Sequence, residues 1–142
     1  MVDLNTSLRK AYFAALSSID PAVPVFYFAA PPNKKFDLYI VYRSLTNKDE
    51  STKSSSDTRT FVIVEIYSRN MSVNSGADVD DLAGKILAAI YPDRHTNITI
   101  DGGQVVNTEM TFDLVNPYNV ISGEVFLSRF LTFKHIIYQS SN

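Results

Sequence analysis

RTFVIVEIYS, residues 59–68, is the stretch that decides the fold. Its even-numbered positions Val62, Val64 and Ile66 form a row of β-branched side chains. Such residues favour a strand, and alternate residues of a strand point to the same face of a sheet. The stretch therefore predicts a strand with one face turned toward an apolar core.

Helical periodicity appears on both sides of this strand. Apolar residues from Leu4 to Ile19 recur at steps of three and four, and Pro21 ends the pattern because the residue before a proline is pushed out of the helical region. A second pattern of the same period runs from Asp78 to Tyr91, with acidic residues in its first turn, where they suit the helix dipole. The sequence therefore predicts two amphipathic helices.

Five further apolar segments predict the remaining strands. They cover residues 25–28, 38–45, 98–100, 104–115 and 124–138. The resulting order is α-β-β-β-α-β-β-β, with no second domain and no low-complexity linker. We therefore expect a single α+β domain over residues 1–142, with a mostly antiparallel sheet, two helices packed on one face, and a long hairpin at 104–138.

Residues 46–58 contain no apolar side chain. The segment predicts a mobile hairpin loop, and its length favours a role in contacting a partner. The charged residues expected to make that contact are Lys48, Asp49, Glu50, Lys53 and Asp57.

Apolar residues occupy both faces of the predicted sheet. The core face is expected to carry Val62, Val64, Ile66, Val106, Met110, Phe112, Leu114, Val125, Leu127, Leu131 and Phe133. The opposite face carries Phe61, Ile63, Tyr67, Phe126, Phe130, Ile136 and Tyr138. An exposed apolar face of that extent is typical of an interface, so we expect subunit contacts through Phe61, Tyr67, Phe126, Phe130 and Tyr138. The alternative is a twisted sheet whose second face is closed by residues 22–36.

The length of the last strand also favours an oligomer. Fifteen extended residues span roughly 50 Å, whereas a compact domain of this size has a radius of gyration of about 14–15 Å. The 104–138 hairpin must therefore bend or project past the domain onto a neighbour.

Composition excludes several classes of protein. The 142 residues include no cysteine, which excludes a disulfide scaffold, a thiolate metal site and a cysteine nucleophile. A formal net charge of −2 argues against a strongly basic nucleic-acid binder. No apolar run is long enough to span a membrane, and no signal peptide opens the chain, so we expect no membrane partner.

No constellation of catalytic or metal-binding residues appears. His95 and His135 lack a second histidine at ligand spacing, so each is expected at a surface or an interface. The acidic residues at the start of the second helix are better explained by capping than by cation binding. We expect no catalytic residue, no metal and no cofactor. A small enzyme or ligand-binding domain is the alternative, and its residues would be Glu65, Glu109, Arg129 and His135.

The whole-chain pattern resembles the tail terminator, or tail completion, proteins of long-tailed bacteriophages. The stretches that carry the resemblance are LRKA (8–11), AAL (14–16), VPVF (23–26), LYIV (38–41), VIVEIYS (62–68), DDLAGKI (80–86), YP (91–92) and VFLSRF (125–130). They span nearly all of residues 4–138. The resemblance lies in the order and residue character of these segments and includes no single diagnostic motif.

The resemblance implies a structural virion protein that acts by binding and not by catalysis. Such a protein forms a ring, usually a hexamer, that caps the head-proximal end of the tail tube and ends its polymerisation. The ring joins the tail to head completion or portal-side adaptor proteins and leaves a channel through which DNA passes without specific binding. The expected location is the neck region of the virion tail, after assembly in the host cytoplasm. Another phage neck or baseplate adaptor is the nearest alternative.

Overall fold

The computed structural model describes residues 4–32, 36–46, 50–51, 55–69, 75–92, 97–121 and 124–140. The elements are α1 (Leu4–Ser17), β1 (Val25–Tyr27), β2 (Leu38–Thr46), β3 (Glu50–Ser51), β4 (Ser55–Ser68), α2 (Ser75–Ile90), β5 (Gln104–Ile121) and β6 (Glu124–Ser140).

One sheet contains all six strands of the described residues. Its main path runs β1-β2-β4-β6-β5, and the two-residue β3 pairs with β4 beside this path. Every pairing is antiparallel except that of β1 with β2. Both helices pack on one face of the sheet. The structure thus confirms the α+β fold and the mostly antiparallel sheet, although the described residues contain one more strand before α2 and one fewer after it than expected.

The core lies between the helices and one face of the sheet. Alternation along β4 buries Val62, Val64 and Ile66, as the sequence predicts. Helix α1 contributes every fourth residue to the same core, because a step of four returns to nearly the same helix face. The buried residues of the two helices are Leu8, Tyr12, Leu16, Val79, Leu82, Ala83, Ile86 and Ile90.

The predicted strand at residues 98–100 is wrong. Ile98 and Ile100 are buried and Thr99 is exposed, so the alternation is present, but the segment pairs with no strand of the sheet. The start of the segment is instead bound to the end of α2. Asn97 donates its backbone N–H to the carbonyl of Ile90, a carbonyl that the helix itself leaves without a partner.

The predicted loop at residues 46–58 is wrong at its strand residues. Strand β2 continues to Thr46, β4 begins at Ser55, and Glu50 and Ser51 pair with Asp57 and Ser56. Hydrogen bonds between backbones carry this extension, so it needs no apolar side chains. Of the predicted contact residues, Lys48, Asp49 and Lys53 lie outside the described residues.

The core face expected for β5 is wrong at Val106 and Leu114, which are exposed, whereas Val105 is buried. Met110 lies opposite the buried Phe133 and faces the helix side as expected, but it is 38% exposed on this edge strand. Register shifts against β6 fall between Val105 and Asn107, between Met110 and Phe112, and between Asn116 and Asn119. A bulge adds one residue without a partner, which moves the following side chains to the other face. The side chains of Phe112 and Val125 are not among those described.

The long hairpin extends beyond its neighbour in the sheet. Strand β4 ends at Ser68, which pairs with Leu127 of β6. The pairs Asn119–Phe126, Val120–Val125 and Ile121–Glu124 lie past that end. Strand β5 continues past the predicted end at residue 115 and runs through Pro117 to Ile121. A proline is tolerated there because the strand is at the sheet edge and its register shifts at this point.

His135 is buried and is not the surface or interface residue that the sequence predicts. Its Nε2 atom is hydrogen-bonded to the hydroxyl of Tyr12, and its Nδ1 atom lies 2.8 Å from Oγ1 of Thr108. Burial lowers the pKa of His135 from 6.5 to about 4. The imidazole is therefore neutral at neutral pH and links α1, β5 and β6 inside the core.

We expect this histidine to make folding sensitive to acid. Between pH 6.5 and pH 4 the unfolded chain holds a proton at this site that the folded chain does not, so the free energy of unfolding should fall by about 3 kcal/mol as pH decreases through this window. Urea unfolding at pH 7 and pH 4 measures the fall. His135→Gln, which retains hydrogen-bonding groups but does not titrate, should show a smaller one. Parallel pH profiles for the two proteins would contradict this assignment.

Candidate functional site

The face of the sheet turned away from both helices is termed the open face. An aromatic row crosses it, formed by Phe26, Phe36, Tyr39, Tyr67 and Phe130. Successive ring centroids lie 5.2, 6.3, 5.2 and 6.0 Å apart, and the third pair is stacked with an interplanar angle of 18°. These separations favour attraction between aromatic rings. All five side chains are half-buried in the isolated chain.

The aromatic row continues to the edge of the sheet. Leu114 of β5 lies directly opposite Phe130 of β6 and is exposed. Side chains opposite each other in an antiparallel pair share one face and are within contact range. Apolar surface therefore runs from β1 at one edge of the sheet to β5 at the other.

A charged cluster is set into the open face beside the row. Glu65 is only 8% exposed, and its Oε1 atom accepts a hydrogen bond of 3.0 Å from the hydroxyl of Tyr67. The Nη2 atom of Arg43 lies 3.8 Å from the same oxygen. Burial, followed by the adjacent Glu65 carboxylate, raises the pKa of Tyr67. The phenol therefore stays protonated and acts as a donor at physiological pH.

The predicted subunit-contact residues are distributed along this face. Tyr67 and Phe130 touch within the aromatic row, whereas Phe61 lies six residues along β4 from Tyr67, a distance of about 20 Å. Tyr138 is exposed and lies opposite Asp57 near the far end of β6. The backbone of Phe126 pairs near the tip of the hairpin, and its side chain is outside the described set.

Three members of the aromatic row were missed by sequence reasoning: Phe26, Phe36 and Tyr39. Their aromatic character is visible in the sequence. Their common face is not, because it depends on β1 joining the edge of the sheet parallel to β2. Within the described part of residues 22–36, Val25–Tyr27 extends the sheet at this edge, and Phe36 packs on the open face against Phe26 and Tyr39.

The residues considered for an enzyme do not converge. Glu65 lies on the open face, Glu109 is exposed on the edge strand, and His135 is in the core. Arg129 faces the helix side and is engaged by two carboxylates. Within the described ranges, no group of three or more histidine or acidic side chains is arranged to hold a metal ion. None of the helices in those ranges has the length and apolar character needed to cross a membrane.

Arg129 connects the hairpin to α2. Its Nε and Nη2 atoms donate to the two carboxylate oxygens of Asp113 at 2.9 and 2.7 Å, and Nη1 donates to Asp80 at 2.9 Å. Hydrogen bonds to Asp113 are the main reason why the pKa of Arg129 is raised. The forked contact fixes β5, β6 and α2 relative to one another. Asp80, expected to cap α2, thus has a tertiary partner.

Loss of this fork should destabilise the fold more than loss of an exposed ion pair. We expect Asp113→Asn to lower the free energy of unfolding by about 1–2 kcal/mol, because it removes a bidentate, charge-assisted contact. The matched control is Asp81→Asn, which removes an exposed pair with Lys85 at 3.3 Å and should cost under about 0.5 kcal/mol. Urea unfolding measures both. Equal losses of unfolding free energy in the two variants would show that Arg129 does not hold the hairpin against α2.

Comparison with known proteins gives a similarity of fold. No family model matches the chain, and no curated protein matches it. A solved chain from the "virion of native gene transfer agent (GTA) particle" superimposes with a TM-score of 0.66 at 14% identity, covering 95% of this chain and 94% of that one. Another solved chain, 15% identical over 94% of this chain and 96% of its own, has a TM-score of 0.44, too low to support an argument. At 14% identity the first similarity shows a shared fold.

Proposed function

We propose that this protein is a structural subunit of a phage-like virion, and specifically the tail terminator that closes the head-proximal end of the tail tube. The observation that carries the proposal is the shared fold over 95% of the chain with a component of a gene transfer agent virion. The resemblance of eight sequence stretches to tail terminator proteins points to the same class. The two arguments are separate, since one rests on backbone geometry and the other on residue order.

The surface of the isolated chain supports assembly into a ring. The aromatic row is only half-buried, and such extended apolar surface is typical of protein interfaces. In the described sheet β5 has β6 as its only neighbour, which leaves the outer edge of an 18-residue strand unpaired. Monomeric proteins usually shorten or cover such an edge. We place the subunit contacts on the long hairpin and on Phe61, Tyr67, Phe126, Phe130 and Tyr138, and we propose a hexamer.

The proposed mechanism is binding. A ring seated on the last turn of the tube covers the surface to which the next tube subunit would add, and this ends polymerisation. Its other side then receives the head completion or portal-side adaptor proteins. The segment with Lys48, Asp49, Glu50, Lys53 and Asp57 is our candidate for contact with one of these partners. The net charge of −2 suits a DNA channel without specific binding, because each phosphate contact would add affinity for the passing DNA.

Native mass and tube capping test this proposal together. Six chains of 15.9 kDa give about 95 kDa, so light scattering of the pure protein should show one species near that mass. Added to growing tail tubes, the protein should stop elongation, and electron microscopy should show a ring at one end of each tube. Rings that bind the isolated portal-side adaptor but leave tube growth unchanged would identify a neck adaptor. Binding to neither partner would contradict both functions.

Phe126→Asp should abolish ring formation without unfolding the subunit. The backbone of Phe126 lies beyond the end of β4, and a carboxylate there would be buried without a partner in the proposed contact. We expect at least about tenfold weaker association by light scattering, with an unchanged circular dichroism spectrum. The control is Ala88→Ser on the exposed surface of α2, which should assemble like the wild type. A variant that assembles normally would remove the hairpin tip from the interface.

A further inference from the structure

An aromatic and basic surface lies at the β1 edge of the sheet. We call it the α1–β1 surface, and its members are Arg9, Lys10, Phe13, Tyr27 and Phe28. Phe13 is 50% exposed and Phe28 is 68% exposed. The Arg9 guanidinium lies 5.2 Å from the centroid of the Tyr27 ring, at the side of a groove of about 390 Å³. The open-face contacts proposed above do not use this surface.

The exposed side chain of Phe28 is held by a strained backbone conformation. Its φ angle is 76°, a left-handed value that bulky side chains rarely adopt. Its N–H donates to the carbonyl of Tyr42, and the N–H of Ala29 donates to that of Tyr27, both at 2.9 Å, which closes a γ-turn around it. Asparagine and glycine adopt this conformation with less strain. Because a strained backbone keeps this aromatic ring exposed, we expect the ring to contact a binding partner.

A second surface lies at the opposite edge of the sheet, on β5. We call it the β5 edge surface, and its apolar members are Val106, Met110 and Val115. Val106 is 51% exposed and Val115 is 48% exposed. Glu109 is exposed on the same strand, opposite Lys134 of β6. Sheet order places β5 and β1 at opposite edges of the sheet.

The two surfaces are complementary in charge. Helix α1 contains Arg9 and Lys10 and no acidic residue, whereas β5 contains Glu109 and Asp113 and no basic residue. Asp113 is already paired with Arg129, whereas Glu109 is exposed and its carboxylate accepts only a long hydrogen bond of 3.5 Å from Asn107 among the described contacts. Both surfaces also expose large apolar side chains. Complementary patches on opposite sides of one chain are what a head-to-tail contact between identical subunits requires, and such contacts close into rings when the rotation permits.

We infer that the β5 edge surface of one copy of this chain binds the α1–β1 surface of the next copy. The inference rests on the proposed function for ring closure, and it adds a second pair of surfaces to the open-face contacts at each junction. Phe28 is the anchor of the receiving surface, Val106 and Val115 are its apolar partners, and Lys10 faces the charge of Glu109. The binding partner is a second copy of this chain, because each chain carries both of the complementary surfaces.

Mixing two assembly-defective variants tests the head-to-tail contact. Phe28→Asn damages only the α1–β1 surface, and the double variant Val106→Ser/Val115→Ser damages only the β5 edge surface. Each alone should be monomeric by light scattering. An equimolar mixture should form a species of two chains and nothing larger, since it can build one intact junction. Ala88→Ser should assemble like the wild type.

Several results would overturn the inference. They are a mixture that remains monomeric, a mixture that rebuilds the full ring, either variant assembling like the wild type, or a wild-type chain that stays monomeric up to about 1 mM. Unfolding of the single variants is checked by circular dichroism. At concentrations where the wild type is monomeric, Phe28→Asn should raise the melting temperature by about 2–5 °C, because asparagine relieves the strained backbone. A lower melting temperature would argue against strain at Phe28.

Charge reversal gives an independent measurement. Lys10→Glu and Glu109→Lys should each weaken association about tenfold, and the chain with both changes should recover most of the loss. The recovery should shrink as salt increases, because salt screens exposed charges. If the double reversal is as weak as the singles, these charges do not face each other. Rings that assemble by this contact but do not cap tail tubes would overturn the proposed function and leave the contact standing.

Discussion

Strand β4 carries apolar side chains on both faces, and both helices cover the same one. Val64 and Ile66 are fully buried beneath the helices, whereas Phe61, Ile63 and Tyr67 remain half-buried on the other side. Each half-buried ring retains apolar area whose removal from water would add about 25 cal/mol per Å². The aromatic row reduces this exposure by stacking rings on one another across four elements, but it does not end it. Both helices cover one apolar face and leave the other uncovered. This uncovered apolar face is the reason for proposing a subunit interface.

Residue spacing within single segments predicted the helices and strands that depend only on that segment. Helices α1 and α2 and strand β4 follow from the spacing of residues within one segment, so the sequence reveals them. His135 could not be placed, because its burial depends on Tyr12 and Thr108, 123 and 27 residues away. The candidate site divides in the same way. Tyr67 and Phe130 follow from alternation within their strands, whereas the rest of the aromatic row depends on a parallel strand joining the edge of the sheet.

The bulges of β5 explain both why the sequence pattern mispredicts its buried face and how the β5 edge surface forms. Strict alternation from Phe133 and its neighbours would bury Val106, yet the register shift beside it buries Val105 instead. A bulge is set by how two strands meet, and neither strand shows it alone. Its result is an edge strand with valine side chains in solvent. Bulges often protect an edge by twisting it away, but here the outer edge of β5 pairs with no strand of the described sheet.

Rigidity is what makes such an edge suitable for binding. The fork of Arg129 on Asp113, extended to Asp80, fixes the hairpin against α2 before any partner arrives. On the opposite side, two backbone hydrogen bonds hold Phe28 in its strained turn. Ordering side chains and loops at the moment of association weakens an interface, so surfaces ordered in advance bind more tightly for the same area. In the proposed ring this matters at every junction, because a cyclic assembly closes only if each subunit sets the same angle as the last.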